Sequence, residues 1–354
     1  MPFISAISKI DLPFKVTQQE TKQQAYEMFS ANFPQTERLI FAFDNTEIIT
    51  RNFCKPLSYY TTPNTFEERN TEYINTTLEY SVQAIEDCVV KAGIKKEDIT
   101  DLLFVSTTGL ATPSMDALII NRLKLNQHVN RSPLFGLGCG GGVSGMAKAN
   151  TVAKANPDAV VCLVAVELCS LTLIKSDYSK SNFIGSSLFS DGIVAAIVKG
   201  DNHGKYQPVQ YVASSSKLYY DSLDVMGWDF KDTGFNVLFS KDIPTFIHEH
   251  VKEDITEFLD TQGLKLSDIK NFIFHPGGKK VLDAYTNALD LNEQQLCKTR
   301  GVMNDYGNMS SATVLYVLER FMSKGYEDGY GLMMAMGPGF SSEMVLLKLT
   351  NPTA

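Results

Sequence analysis

The chain has 354 residues, 44% hydrophobic and 20% charged, an ordinary globular composition with length enough for one large core or two coupled ones. With 32 basic against 40 acidic residues the net charge is -8, which argues against general nucleic-acid binding and leaves room only for a local basic patch. Six cysteines with no CxxC spacing and no pairing with histidine speak against a disulfide framework or a metal site, and read as reduced thiols of a cytoplasmic protein.

In chain order, residues 1–13 carry Lys9 and Asp11 and no long apolar stretch, so no signal peptide is expected there. Ile74, Leu78, Val82, Ile85 and Val89 mark one face of a helix, followed by Gly93 and a short apolar strand ending near Val105. The stretch Phe135-Gly136-Leu137-Gly138-Cys139-Gly140-Gly141-Gly142 predicts a strand that stops in glycines and a helix over 143–155. Buried strands are expected at 159–166, 193–199, 209–213 and 344–349, and helices at 243–259 and 310–322. The run 159–166, closed by Glu167, is too short to span a bilayer.

An internal repeat organises this series. Gly-Ile-Lys-Lys-Glu-Asp-Ile-Thr-Asp-Leu-Leu-Phe-Val at 93–105 returns as Gly-Leu-Lys-Leu-Ser-Asp-Ile-Lys-Asn-Phe-Ile-Phe-His at 263–275, and Gly138-Cys139 falls opposite Gly307-Asn308. Alternating strands and helices predict an α/β layered fold of two intimately packed halves, residues 1–203 and 204–354, divided at the polar stretch 199–207.

Cys139 stands where a strand-to-helix corner would leave its thiol beside unpaired backbone N–H groups, an environment that favours thiolate; a small structural cysteine in a glycine-rich turn is the other reading. His275 ends an apolar strand and precedes Pro276-Gly277-Gly278, so its imidazole is expected at the rim of a sheet. Asn308 reads either as a helix cap or as a neutral N–H donor. The repeat gives these three a reason to converge. Cysteine with histidine supplies a nucleophile and its base, and two N–H donors beside them form an oxyanion hole.

In these residues, and in Leu188-Phe189-Ser190-Asp191-Gly192, His275-Pro276-Gly277-Gly278, Tyr306-Gly307-Asn308-Met309-Ser310-Ser311 and Gly337-Pro338-Gly339, the chain resembles the type III polyketide synthases, the chalcone-synthase-like branch of the thiolase fold. The resemblance implies a thiolase-like αβαβα architecture and a homodimer. It also implies iterative decarboxylative condensation of malonyl-CoA onto an acyl-CoA starter, with no metal and no cofactor beyond the CoA thioesters.

By the same resemblance Cys139 is the nucleophile, His275 its base and a donor, Asn308 the second donor, and Phe189 the gatekeeper between CoA tunnel and cavity. Thr107, Glu167 and Ser310 match positions that hold a water in some members; Cys169 and Thr172 match the cavity wall, and Thr112 matches a loop that reaches into the partner subunit. Taken without the family, Phe189 reads as core packing and Glu167 as a strand-end carboxylate that needs a partner.

Val237 replaces the family's second gatekeeping phenylalanine and suggests a wider cavity, hence a fatty acyl starter and an alkylpyrone or alkylresorcinol product. The plant members' basic CoA contacts are mostly absent. Arg38 is the best surviving candidate, with Arg51, Lys55 or Lys279 as substitutes and Gly277 beside them. The segments at 137–142 and 167–172 look like the bacterial subgroup. A ketoacyl-ACP synthase III-like enzyme and a thiolase-like protein kept only for binding are the alternatives.

Overall fold

In a computed structural model, which describes residues 1–204, 208–240 and 242–351, the chain forms one nine-stranded sheet flanked and divided by helices. The predicted boundary at 199–207 falls partly outside the described residues.

The repeat is visible in the topology. In the first half Asp101–Ser106 pairs parallel with Val160–Leu168, which pairs antiparallel with Asp191–Lys199, which pairs antiparallel with Phe3–Ile10. In the second half Ile269–Phe274, Gly329–Gly337, Ser341–Leu349 and Val209–Leu218 follow the same order with the same senses. The two meet where Phe3 pairs with Gln210. The first half adds an outer strand, Asn130–Phe135, parallel to Asp101–Ser106. In the second half that place is taken by the 3-10 turn Glu293–Leu296, packed against Ile269–Phe274.

Among the inner strands Asp101–Ser106, Val160–Leu168 and Asp191–Lys199 are buried on both faces, which explains why these segments read as near-continuous apolar runs, while Val209–Leu218 is covered only at its start. The alternation of side chains sorts them into separate cores. Leu102, Phe104, Cys162 and Val164 pack with Ile85 and Cys88 of the helix Phe66–Ala92, while Leu103, Val105, Val161 and Leu163 face the opposite way. That second core also contains Val143, Met146 and Ala149 of helix Gly141–Ala155 and Val314, Leu315 and Leu318 of helix Ser311–Lys324. In the other half Met333 and Val345 join this middle core, whereas Leu332, Met334 and Leu346 pack beneath helices Ile243–Asp260 and Lys279–Leu289. Three cores separated by two half-sheets make five layers, helix, sheet, helix, sheet, helix.

The central helices approach closely because Gly142 has no side chain; a Cβ there would sit 2.2 Å from the Ser311 carbonyl oxygen. The long helix begins on a capping box, with the side chains of Thr65 and Glu68 each accepting from the other's backbone N–H, and stops at Gly93 with φ of 63°. Two features were not read from the sequence. Residues Phe3–Ile10 form a strand at the centre of the sheet, and Met226–Lys231 with Gly234–Phe239 forms a hairpin beside the site.

Candidate active site

Cys139 sits in a tight 3-10 turn, Gly138–Gly140, between the strand Asn130–Phe135 and the helix Gly141–Ala155. Gly138 has φ of 45° and its N–H donates to Thr107 Oγ1 at 3.1 Å, so both the turn and its anchor are set by local chemistry. The Cys139 thiol lies 3.7 Å from Ser310 Oγ and within hydrogen-bonding reach of the Asn308 side chain. Burial pushes the thiol up to about 12 despite these donors, with the Glu167 charge adding to the rise. The lowered thiol expected at a helix N-terminus is therefore not met. Cys139 is half-buried, and desolvation of its sulfur outweighs the backbone dipoles.

His275 follows the strand Ile269–Phe274, anchored by its own N–H to the Met334 carbonyl at 2.8 Å. It is 4% exposed, neither ring nitrogen has a protein partner, and burial lowers its pKa to about 3. Gly277 lies against the imidazole, 3.6 Å from Nε2 measured from where its Cβ would be. The Gly277 carbonyl accepts from Asn308 Nδ2 at 3.1 Å. The contacts thus run from Cys139 to Asn308, and from Asn308 to the carbonyl of Gly277, two residues beyond His275.

Asn308 is fully buried and held on both sides. Its N–H donates to Leu188 O at 2.9 Å, its carbonyl accepts from Ser190 N at 2.8 Å, and its Oδ1 accepts from Ser310 N at 2.8 Å. With Oδ1 engaged in that way, Nδ2 is the end presented to the site. Ser310 adopts φ of 46°, a left-handed conformation uncommon outside glycine.

Glu167 is completely buried, and its oxygens accept from Thr107 N (3.1 Å), Thr108 Oγ1 (2.9 Å) and Ser311 Oγ (2.5 Å). Burial raises its pKa to about 7 against these donors. Ser311, not Ser310, binds the carboxylate; Ser310 turns its hydroxyl to the thiol instead. The neighbouring positions in one motif concealed that division of labour.

Phe189, Val237, Cys169 and Thr172 share a crevice of about 60 Å3 whose walls include Met28, Phe29, Leu57 and Leu173. Val237 pairs across the hairpin with Trp228, which also lines the crevice and whose ring lies 6.4 Å from that of Phe189. Trp228 is the chain's single tryptophan, and the hairpin pairing that brings it here was not legible from the sequence.

A second cavity of about 530 Å3 is lined by Gly277, Gly278, Lys180, Lys279, Lys280 and Phe239. Of the expected CoA contacts, Lys279 belongs to it, tied to Asp283 at 2.6 Å and Glu47 at 3.6 Å. Arg38 is exposed and lies outside this lining, and Lys55 pairs with Glu72 at 2.6 Å. Arg51 is 1% exposed, so it is no surface phosphate contact; Lys180 and Lys280, unnoticed in the sequence, stand at the cavity instead. Thr112 is exposed and touches neither cavity of this chain.

Among the described residues no helix is long and apolar enough to cross a membrane. The N-terminal domain family of chalcone and stilbene synthases matches residues 13–202, and the C-terminal domain family matches residues 210–350. A Bacillus subtilis relative named for the chalcone synthases is 41% identical over 358 residues, covering 98% of each chain. The 1,3,6,8-tetrahydroxynaphthalene synthase of Streptomyces peucetius is 36% identical over 303 residues, covering 84% of this chain and 80% of its own. The solved structure of the Streptomyces coelicolor 1,3,6,8-tetrahydroxynaphthalene synthase, described as a bacterial type III polyketide synthase, superposes with a TM-score of 0.93 at 28% identity, over 99% of this chain and 100% of that one. With both halves matched and the fold shared from end to end, this chain belongs to the chalcone and stilbene synthase family, the type III polyketide synthases.

Proposed function

We propose that the enzyme carries out iterative decarboxylative condensation of malonyl-CoA onto an acyl-CoA starter held on Cys139, independently of a carrier protein. The observation that carries this reading is that the fully buried Asn308 reaches both the Cys139 thiol and the carbonyl of Gly277, two residues beyond the buried His275. His275 takes the thiol proton, the thiolate attacks the acyl-CoA carbonyl, and the CoA sulfur leaves with the proton returned by the imidazole. Each charge alone is disfavoured by burial, but a proton passed between the two leaves the pair neutral in sum. Malonyl-CoA then loses CO2, its electron pair settling on a thioester enolate oxygen that accepts from Asn308 Nδ2 and a His275 N–H. The enolate carbon attacks the Cys139 thioester and expels the thiolate. Phe189 supplies an apolar wall that disfavours the departing carboxylate.

In this reading the CoA moiety occupies the cavity with Lys180, Lys279 and Lys280 around its mouth, and the reaction as written needs no metal or redox group. The growing chain enters the crevice past Phe189 and Cys169. The apolar walls of that crevice lead outward to Gln24 on the first helix, which supports a fatty acyl starter and an alkylpyrone or alkylresorcinol product once Met28 or Trp228 rotates aside. The two halves, 1–203 and 204–354, act as one unit. The exposed outer strand Asn130–Phe135, with Phe135 49% and Leu110 41% exposed, supports a homodimer formed at that edge. The unpaired cysteines among the described residues fit a cytoplasmic enzyme.

Incubation of the purified protein with labelled malonyl-CoA and acyl-CoA starters from two to eighteen carbons tests this. Pyrone or resorcinol products from long-chain starters are expected. Turnover of short starters alone overturns the fatty acyl proposal, and no condensation at all overturns the reading.

A further inference from the structure

The buried guanidinium of Arg51 has no place in the chemistry above, yet it touches both sides of it. Nη1 donates to the carbonyls of Ser186 and Phe189, each at 2.8 Å. The guanidinium lies between the rings of Phe43 and Phe53, at 5.9 and 5.3 Å, while Nε and Nη2 have no hydrogen-bond partner. Burial lowers its pKa to about 9, with Asp191 the one charge opposing that fall. A buried cation so sparsely paired is costly, and an apolar side chain of similar volume would fill the space without that cost. What such a side chain lacks is the pair of N–H donors.

Those donors fix the backbone of Phe189 at the end of helix Lys180–Leu188. The Arg51 stem meanwhile supports the other wall, since a Cβ on Gly307 would lie 3.0 Å from Arg51 Cγ and 3.2 Å from Cδ. Between the two, Phe189 and Asn308 form a bridge, with Asn308 N bound to Leu188 O and Ser190 N bound to Asn308 O. The strand Thr50–Phe53 adds further ties to the same two segments. Thr50 Oγ1 donates to Asp305 O at 2.7 Å, and Asn52 N donates to Ser190 Oγ at 3.1 Å.

We propose that Arg51 is a positioning residue that holds Phe189 and Asn308 in register with one another, so that the enolate donor and the apolar wall close on the same substrate. The proposal rests on the condensation reading above. Without Arg51 the acyl group still loads on Cys139, because that step needs the thiol and His275, but the enolate is held loosely and decarboxylation uncouples from carbon–carbon bond formation.

The test measures three things on wild type, Arg51→Met and Arg51→Lys: acylation of Cys139 by intact mass, release of labelled CO2, and condensed product. Arg51→Met is expected to acylate within about twofold of wild type and to lose about a hundredfold in condensation, the scale of a 1 Å misplacement, while decarboxylation falls less, so that CO2 released per condensed product rises. Arg51→Lys, whose shorter ammonium keeps N–H donors but loses the guanidinium's reach and rigid geometry, recovers part of the coupling. Equal losses in acylation and condensation that follow a fall in Tm would make Arg51 a packing residue and overturn the proposal, as would wild-type coupling in Arg51→Met. Should the methionine variant not fold, wild-type coupling in Arg51→Lys overturns it. Absence of condensation by the wild type would instead sink the reading on which the proposal stands.

Discussion

The corner that carries Cys139 and the corner that carries Asn308 occupy matching places in the two halves, each just before a central helix, and they are built by different means. At Cys139 the chain is shaped by glycines: Gly136 and Gly138 take positive φ, and Gly142 lets the helix press against Ser311 O. At Asn308 the backbone is held by hydrogen bonds from both flanks, to Leu188 and Ser190, and by a strained Ser310. The first corner presses its backbone close to its neighbours, Gly138 against Pro338 and Gly142 against Ser311 O, around the turn that carries Cys139. The second immobilises a donor whose value lies in not moving. A duplicated scaffold supplies equal positions, and the local sequence decides which chemistry each position serves.

The comparison breaks most plainly at Cys139 and Asn308. Cys139→Ala is expected to lower product formation by about 10^3-fold or more while malonyl-CoA decarboxylation persists, because the donors of the other corner remain; measured product and CO2 release check this. Asn308→Ala should reduce decarboxylation and condensation together by about 10^2 to 10^3-fold with Cys139 acylation preserved, seen as rapid loading without turnover. Gly142→Val sharpens the structural side of the contrast. Its Cβ would collide with Ser311 O and Val314, so denaturant titration should show a loss of about 3 kcal/mol.

The smallest effect concerns the carboxylate that ties the corners, since Glu167 binds Thr107 behind Cys139 and Ser311 behind Asn308. Its folded pKa of about 7 lies above the unfolded 4.5. Its contribution to stability is therefore full below 4.5 and is lost as pH rises through 7. Between pH 5 and 8 the wild type should lose about 2 kcal/mol more than Glu167→Gln, read from unfolding midpoints across that range. Equal pH profiles would mean that the carboxyl is not strained by its burial.

Much of the fold was legible because its signals are local. Apolar runs at 159–166 and 193–199 mark strands covered on both faces, and the repeated segments at 93–105 and 263–275 prescribe equivalent units. The expectation that Cys139, His275 and Asn308 meet followed from that repeat. The strand Phe3–Ile10 went unread, since its central place in the sheet depends on pairing with residues 193–199, far along the chain. The place of Trp228 beside Val237 went unread for a similar reason, because it depends on a hairpin register that composition does not reveal.

By itself, then, the amino-acid order determined the layers and the repeated strand–helix units, since periodicity and spacing are properties of neighbouring residues. Only the tertiary structure decided that Ser311 rather than Ser310 binds Glu167, 144 residues away, and that Arg51 is buried against Phe189, 138 residues away. It also decided that the thiol is raised by burial instead of lowered by its helix. These outcomes depend on which distant groups arrive beside a side chain and how completely they exclude water, and both are settled when the layers pack.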